Sequence, residues 1–174
     1  MKHSIISRNT VFNGYAFGVE ELNVSLPDGR KRTYDLVNHK DSVTIIPVDK
    51  NEMIWFVEQF RMGSECSLLE LPAGVMDGNE SPEICAAREV REEIGMSAGQ
   101  LIPIGSIFLA PGYSNEINHI FLAKGLEPDP LQQDDDEFLT IKKFRKEDLF
   151  ALILEGDLVD SKSLAALYLY QLNS

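Results

Sequence analysis

The chain has 174 residues, 44% of them hydrophobic, which is enough for one core-bearing domain with a small extension. Its 28 acidic residues outnumber 16 Lys and Arg and leave a net charge of -12, so no basic stripe offsets the repulsion of a nucleic-acid backbone. No apolar run reaches transmembrane length and MKHSIISRNT lacks the apolar centre of a signal peptide, so the expectation is a cytoplasmic protein with neither nucleic acid nor membrane as partner.

Residues from about Thr10 to Leu36 read as strands rich in Val, Phe, Tyr and Leu, with Pro27-Asp28-Gly29-Arg30 as the turn between them. A small hairpin unit cannot bury both faces alone. Residues 1–40 are therefore expected to form an N-terminal β-strand unit that packs on, or is exchanged with, a partner, and 41–174 the main domain. SVTIIPV and EMIWFVEQF are apolar strands with Asp49-Lys50-Asn51 as their turn, and LLELPAG is a third strand ended by Pro72 and Gly74. A helix is predicted from Pro82 to Ile94, with Ser81 as cap, Pro82 in the first turn and Gly95 after the end. Its apolar side is read as Ile84, Ala87, Val90 and Ile94. LIPIGSIFL, EINHIFLAKGL and FLTIKKF follow as strands, and a last helix over Ser161 to Leu172 places Leu164, Leu167, Tyr168 and Leu172 at core-like spacing. The order of elements is mixed, neither a βαβ repeat nor all-helical, which gives an α/β (α+β) class. Cys66 and Cys85 lack ligand spacing and are expected to be buried free thiols. His3, His39 and His119 form no zinc pattern, and Trp55 reads as core.

The helix raises a question of charge. At about 100° per residue, Glu89, Glu92 and Glu93 share an arc roughly 100° wide. Each like-charged pair costs a few tenths of a kcal/mol when exposed, and Arg88 and Arg91 relieve only part of it. Either this is a solvated acidic face, or it is a platform for hard divalent cations, which want several oxygen ligands on a rigid support.

From Gly74 the sequence reads glycine, five residues, Glu80, seven residues, Arg88-Glu89-Val90, one residue, Glu92-Glu93, one residue, Gly95-Met96. This resembles the Nudix box at every prescribed position, with Val90 and Met96 in the aliphatic slots. The resemblance implies a Nudix fold, an αβα sandwich around a mixed sheet, and Mg²⁺-dependent (or Mn²⁺-dependent) cleavage of a diphosphate linked to a nucleoside. It implies Glu89 and Glu93 as main metal ligands, Glu92 as a further or shared ligand, and the carbonyl of Ala73 as another. Arg88 would orient the glutamates, Glu80 would support the site, and Gly74 would let the backbone turn tightly.

The flanks narrow the substrate. EQFR before the box, ELPAG leading into it and Pro111 sixteen residues beyond Gly95 resemble the ADP-ribose pyrophosphatase branch of that family, over about Val43 to Phe144. The implied reaction is ADP-ribose and water to AMP and ribose 5-phosphate, with GDP-mannose or other nucleoside diphosphate sugars as the alternative and a non-catalytic binder of such nucleotides as the other class. Arg61 offers a planar five-donor cation suited to phosphate oxygens. Glu70 alternates with Leu69 and Leu71, so it is read as facing the cleft, and the resemblance implies a substrate-side or metal-proximal group there. Pro111, Gly112 and Ser114 form a rigid turn for substrate contacts, followed by Glu116 as an acceptor for ribose hydroxyls or a metal-site partner. The general base, by the same resemblance, comes from the acidic run 134–137, with Glu137, Asp136 or Asp135 as candidates. Relatives build the base pocket partly from N-terminal strands exchanged between subunits, which implies a homodimer and makes Phe12 and Tyr15 candidates to stack on adenine.

Overall fold

The structure is a computed structural model and describes residues 2–132 and 138–173. The chain divides into two compact units, Met1–Asp41 with Phe108–Ile117, and Ser42–Ile107 with Asn118–Ser174.

The first unit is a three-stranded antiparallel sheet, ordered β1 (Ser4–Asn13), β2 (Gly18–Ser25), β3 (Lys31–Asn38). The Pro-Asp-Gly turn forms where expected: Gly29 takes φ +85°, and the Gly29 and Leu26 amides donate to the Leu26 and Arg30 carbonyls at 2.9 and 2.8 Å. The central strand buries Leu22 and Val24, whereas β1 is exposed along its whole length. The first strand begins six residues earlier than the sequence suggests, because SIISRN alternates too weakly in hydrophobicity to announce a strand.

The second unit contains β4 (Ser42–Pro47), β5 (Met53–Arg61), β6 (Cys66–Glu70), β7 (Ala73–Val75), α1 (Pro82–Glu93) and most of β8 (Met96–Phe108) and β9 (Ile117–Pro128). It continues with β10 (Thr140–Arg145), α2 (Leu149–Glu155) and α3 (Ser161–Leu172). One sheet is mixed, β7-β4-β9-β8, with β4 parallel to β9 and antiparallel to β7; the other is antiparallel, β10-β5-β6. Asp49 makes the β4–β5 turn by accepting the Asn51 and Met53 amides, and its second oxygen takes Trp55 Nε1.

Side-chain alternation explains the layering. Ile46, Ile54, Phe56, Ile120 and Leu122 point one way and meet Leu149, Leu158, Ala166 and Leu167 of the C-terminal helical segment. Val43, Ile45, Trp55, Val57, Phe121 and Ala123 point the other way and meet Cys85, Ala86, Val90 and Ile94 of α1. The continuous apolar runs of β4, β5 and β9 therefore reflect burial on both faces by helices. The result is the expected mixed α/β fold, with helices packed against a mixed sheet and a separate N-terminal antiparallel sheet.

Three local expectations need correction. The buried side of α1 is Cys85, Ala86, Glu89, Val90 and Glu93, while Ile84 is 61% exposed. An apolar count puts the face wrongly because buried carboxylates with partners compete for the inner arc. In α3 the buried residues are Ser163, Ala166 and Leu167, and Tyr168 and Leu172 lie exposed. Cys85 is buried as expected, but Cys66 stands exposed at the start of β6.

Candidate active site

Three strand ends and one helix face of the second unit bring the candidate residues together. Strand β5 ends in Arg61, β6 ends in Glu70, and the chain turns through Leu71-Pro72 into Ala73 and Gly74 of β7, which pairs with β4. Helix α1 is fixed by Ser81, whose side chain accepts the Ile84 amide, and ends before Gly95 in the left-handed region at φ +69°.

Arg88 organises the carboxylates. Its Nη1 donates to Glu89 Oε1 and Glu92 Oε2, each at 2.7 Å, while Nε and Nη2 reach Glu80 at 3.1 Å. One planar cation thus faces three anions, which resolves the repulsion that the bare sequence raises. The Glu80 hydrogen bond, with Glu89 and Glu92 behind it, raises the guanidinium further above its ordinary value, against burial. In return Arg88, together with the Asp77 amide, holds the Glu80 carboxyl below the usual carboxylate range, with burial opposing. Glu93, 2% exposed, accepts the Ala73 amide at 3.0 Å and so ties helix to strand.

Gly74 has a different reason from the one expected. It does not lie in the left-handed region; instead a Cβ placed there would stand 1.8 Å from Glu89 Oε1. The missing side chain is the space in which the Glu89 carboxylate sits.

Glu70 is enclosed rather than open to a cleft, at 1% exposure. Arg61 grips it by a two-pronged contact, Nε to Oε1 at 2.8 Å and Nη2 to Oε2 at 2.7 Å, and Lys162 of α3 bonds to Oε2 as well. Burial pushes the Glu70 carboxyl up, but Arg61 and Lys162 outweigh it and hold the group low. Lys162 also pairs with Asp160 at 3.0 Å, and Ser163, fully buried, accepts the Leu71 amide at 2.8 Å. Sequence reading missed Lys162, Asp160 and Ser163. The only available signal was Asp160 three residues before Ser163, a capping pattern that says nothing of a partner ninety residues earlier.

The remaining candidates belong to the other unit. Pro111 and Gly112 form an exposed turn in which the Ala110 carbonyl accepts the Tyr113 and Ser114 amides at 3.0 and 2.8 Å. Ser114 is buried and takes the Glu116 amide, and Glu116 lies 3.7 Å from His39 Nδ1. Phe12 packs at 6.3 Å against Phe17 and is half-exposed, and Tyr15 is fully exposed. The candidate bases Asp135, Asp136 and Glu137 lie outside the described residues.

The donor chemistry of Ala73, Glu89, Glu92 and Glu93 fits a hard divalent cation, being oxygen throughout, and the glycine cradle admits a carboxylate where any side chain would block it. Among the described residues, no three such side chains converge on one point; Glu89 and Glu92 are turned onto Arg88, and Glu93 onto the Ala73 amide. A cation would have to share these oxygens with Arg88.

The NUDIX domain model matches residues 38–167, three-quarters of the chain and all of the carboxylate helix. The chain belongs to the NUDIX domain family. An ADP-ribose pyrophosphatase of Bacillus subtilis is 31% identical over 174 residues, covering 99% of this chain and 94% of that protein. A GDP-mannose pyrophosphatase of Yersinia enterocolitica is 26% identical over 184 residues, covering 99% and 94%. A solved crystal structure of an ADP compounds hydrolase superposes with a TM-score of 0.89 at 25% identity, covering 98% of this chain and 93% of that one. The chain is thus an enzyme of the Nudix hydrolase family. Among its described residues no helix is long and apolar enough to cross a membrane.

Proposed function

We propose that this Nudix hydrolase cleaves the diphosphate of ADP-ribose with water to give AMP and ribose 5-phosphate, with Mg²⁺ as cofactor and Mn²⁺ as a substitute. The observation that carries the reading is the cluster of Glu89, Glu92 and Glu93 on one helix, with Arg88 holding Glu89 and Glu92, the Ala73 amide bonding Glu93, and Glu89 seated in the space that Gly74 leaves open. A mere nucleotide binder gains nothing from gathering three repelling carboxylates. The choice of ADP-ribose is supported by the EQFR, ELPAG and Pro111 flanks and by likeness to an ADP-ribose pyrophosphatase across nearly the whole chain. GDP-mannose is the second reading, favoured by the similarly extensive likeness to a GDP-mannose pyrophosphatase.

In this reading Glu89, Glu92, Glu93 and the Ala73 carbonyl hold the metal, which would neutralise the diphosphate and lower the pKa of a bound water. Arg88 keeps the glutamates in one arrangement before substrate arrives, so little reorganisation remains at the moment of reaction. Arg61, fixed by Glu70, offers its outer edge to phosphate oxygens. One of Asp135, Asp136 and Glu137 removes the proton from the attacking water, and Pro111, Gly112, Ser114 and Glu116 contact the ribose side. Phe12 and Tyr15 stack on the base. The wholly exposed β1, with Ile5, Ile6, Val11 and Phe12 showing, favours a homodimer in which a second copy covers this sheet. The net charge of -12 supports action on a small molecule rather than on a nucleic acid.

The deciding experiment measures turnover with Mg²⁺ on ADP-ribose, GDP-mannose, ADP-glucose, NADH, diadenosine polyphosphates and oxidised dGTP. ADP-ribose should exceed the others by at least about tenfold in kcat/KM; equal or faster turnover of GDP-mannose would transfer the assignment to that substrate.

A further inference from the structure

A buried carboxylate needs compensation, and Glu70 already has it from the forked contact with Arg61. Such a pair is neutral as a whole, so an arginine spent in this way would show little positive field to an incoming anion. Lys162 changes that balance. Its ammonium reaches Glu70 Oε2 from α3 and Asp160 Oδ2 at 3.0 Å, with the lysine side chain mostly buried.

Asp160, in turn, is settled by the helix it caps. Its Oδ2 accepts the Ser163 amide at 3.0 Å and the Ser163 hydroxyl at 2.6 Å, at the positive end of a 12-residue helix. The contacts therefore run in sequence, helix end to Asp160, Asp160 and Glu70 to Lys162, and Glu70 to Arg61, so Arg61 does not carry the compensation of Glu70 alone. The Arg61 side chain is 39% exposed, and among the described residues its Nη1 donates no hydrogen bond.

We propose that Lys162 is a positioning residue for anion binding: by compensating the buried Glu70, it leaves the charge of Arg61 available to a substrate phosphate. The inference rests on the reading that Arg61 meets the diphosphate, and it adds to that reading a residue from the opposite end of the chain.

The test titrates the full-length chain with inorganic pyrophosphate in EDTA by calorimetry, beside ADP-ribose hydrolysis with Mg²⁺. Lys162→Met should weaken pyrophosphate binding about tenfold and raise KM for ADP-ribose with kcat nearly unchanged. Lys162→Arg should restore both. Arg61→Ala combined with Lys162→Met should bind no more weakly than Arg61→Ala alone, because both act through one group. Wild-type affinity in Lys162→Met, or losses that multiply in the double variant, would overturn the proposal, as would a wild-type chain that binds no pyrophosphate. If Lys162→Met does not fold, Asp160→Asn decides: Asn still caps α3, and binding should be unchanged or tighter, whereas weaker binding overturns the idea. Failure of the wild type to hydrolyse ADP-ribose strikes the proposed substrate instead, since pyrophosphate binding is read without turnover.

Discussion

Glu93 is a buried charge whose Oε2 accepts the Ala73 amide. Glu93→Gln keeps the shape and the bond to the Ala73 amide but removes the anion. Activity on the preferred substrate should fall about a hundredfold or more, with a melting temperature close to wild type; full turnover would remove Glu93 from the metal ligands. Arg88→Lys tests a different property. A lysine keeps the charge but not the fork that reaches Glu80, Glu89 and Glu92 together. Activity should drop by about 10- to 100-fold, with a higher Mg²⁺ concentration needed for half-maximal rate. The glutamate cluster and its arginine were legible in the sequence because helical spacing converts positions directly into neighbours. The clasp of Arg61 on Glu70 was not: the β5–β6 register sets Arg61 opposite Cys66 and Glu70 opposite Val57, so the two meet only through side-chain reach along the hairpin.

At the scale of elements, the strands that carry the core were readable, since runs such as SVTII and MIWFV admit no solvent-facing side. Helix α1 was placed correctly by its caps, and Val90 and Ile94 of its expected apolar side are buried, but Ile84 is exposed and Glu89 and Glu93 lie inward, because hydrophobicity alone assigns no carboxylate to an inner face. Helix α2 went unread: KEDLFALILEG has the propensity, yet only Leu149 is buried along it, so no clear stripe marks it. The join of β6 to α3 through Glu70 carries a pH consequence. Its folded pKa lies below the ordinary 4.5, so the unfolded chain binds the proton more readily. The stabilisation is full above the ordinary value and drains away as pH falls through the lowered folded value. Denaturant unfolding between neutral pH and pH 3 should therefore show a steeper acid loss for wild type than for Glu70→Gln, which starts less stable at neutral pH. Parallel pH profiles would mean that Glu70 is not held low.

For the molecule as a whole, the two cysteines give a direct check on layering. Cys66 is exposed, whereas Cys85 lies on the buried face of α1, and burial, followed by the nearby Glu89 and Glu80, pushes its thiol up to about 12. A thiol reagent at neutral pH should label one site rapidly in the native protein and the second only after unfolding; two fast sites would contradict the packing of α1. The sequence carries no sign that Phe108–Ile117 groups with the N-terminal strands. That association runs through backbone bonds of Val37 to Tyr113 and Asn115 and through the Asn115 side chain, which bonds Asn38 and the His39 amide 77 and 76 residues away, a separation that no local pattern announces.

The cradle at Gly74 sets apart two kinds of mutational tolerance. Every other encoded amino acid brings a Cβ to within 1.8 Å of the Glu89 carboxylate, whose atoms can yield only by leaving Arg88. The backbone there asks for nothing unusual. A saturation library at codon 74 sorted for folded, soluble protein should then retain alanine and serine, while the same library sorted for turnover should return glycine alone. Codon 63, where a Cβ meets nothing within 4 Å, should let small residues through both screens. The gap between the two survivor sets at codon 74 would measure how far the fold and the reaction are separately inherited.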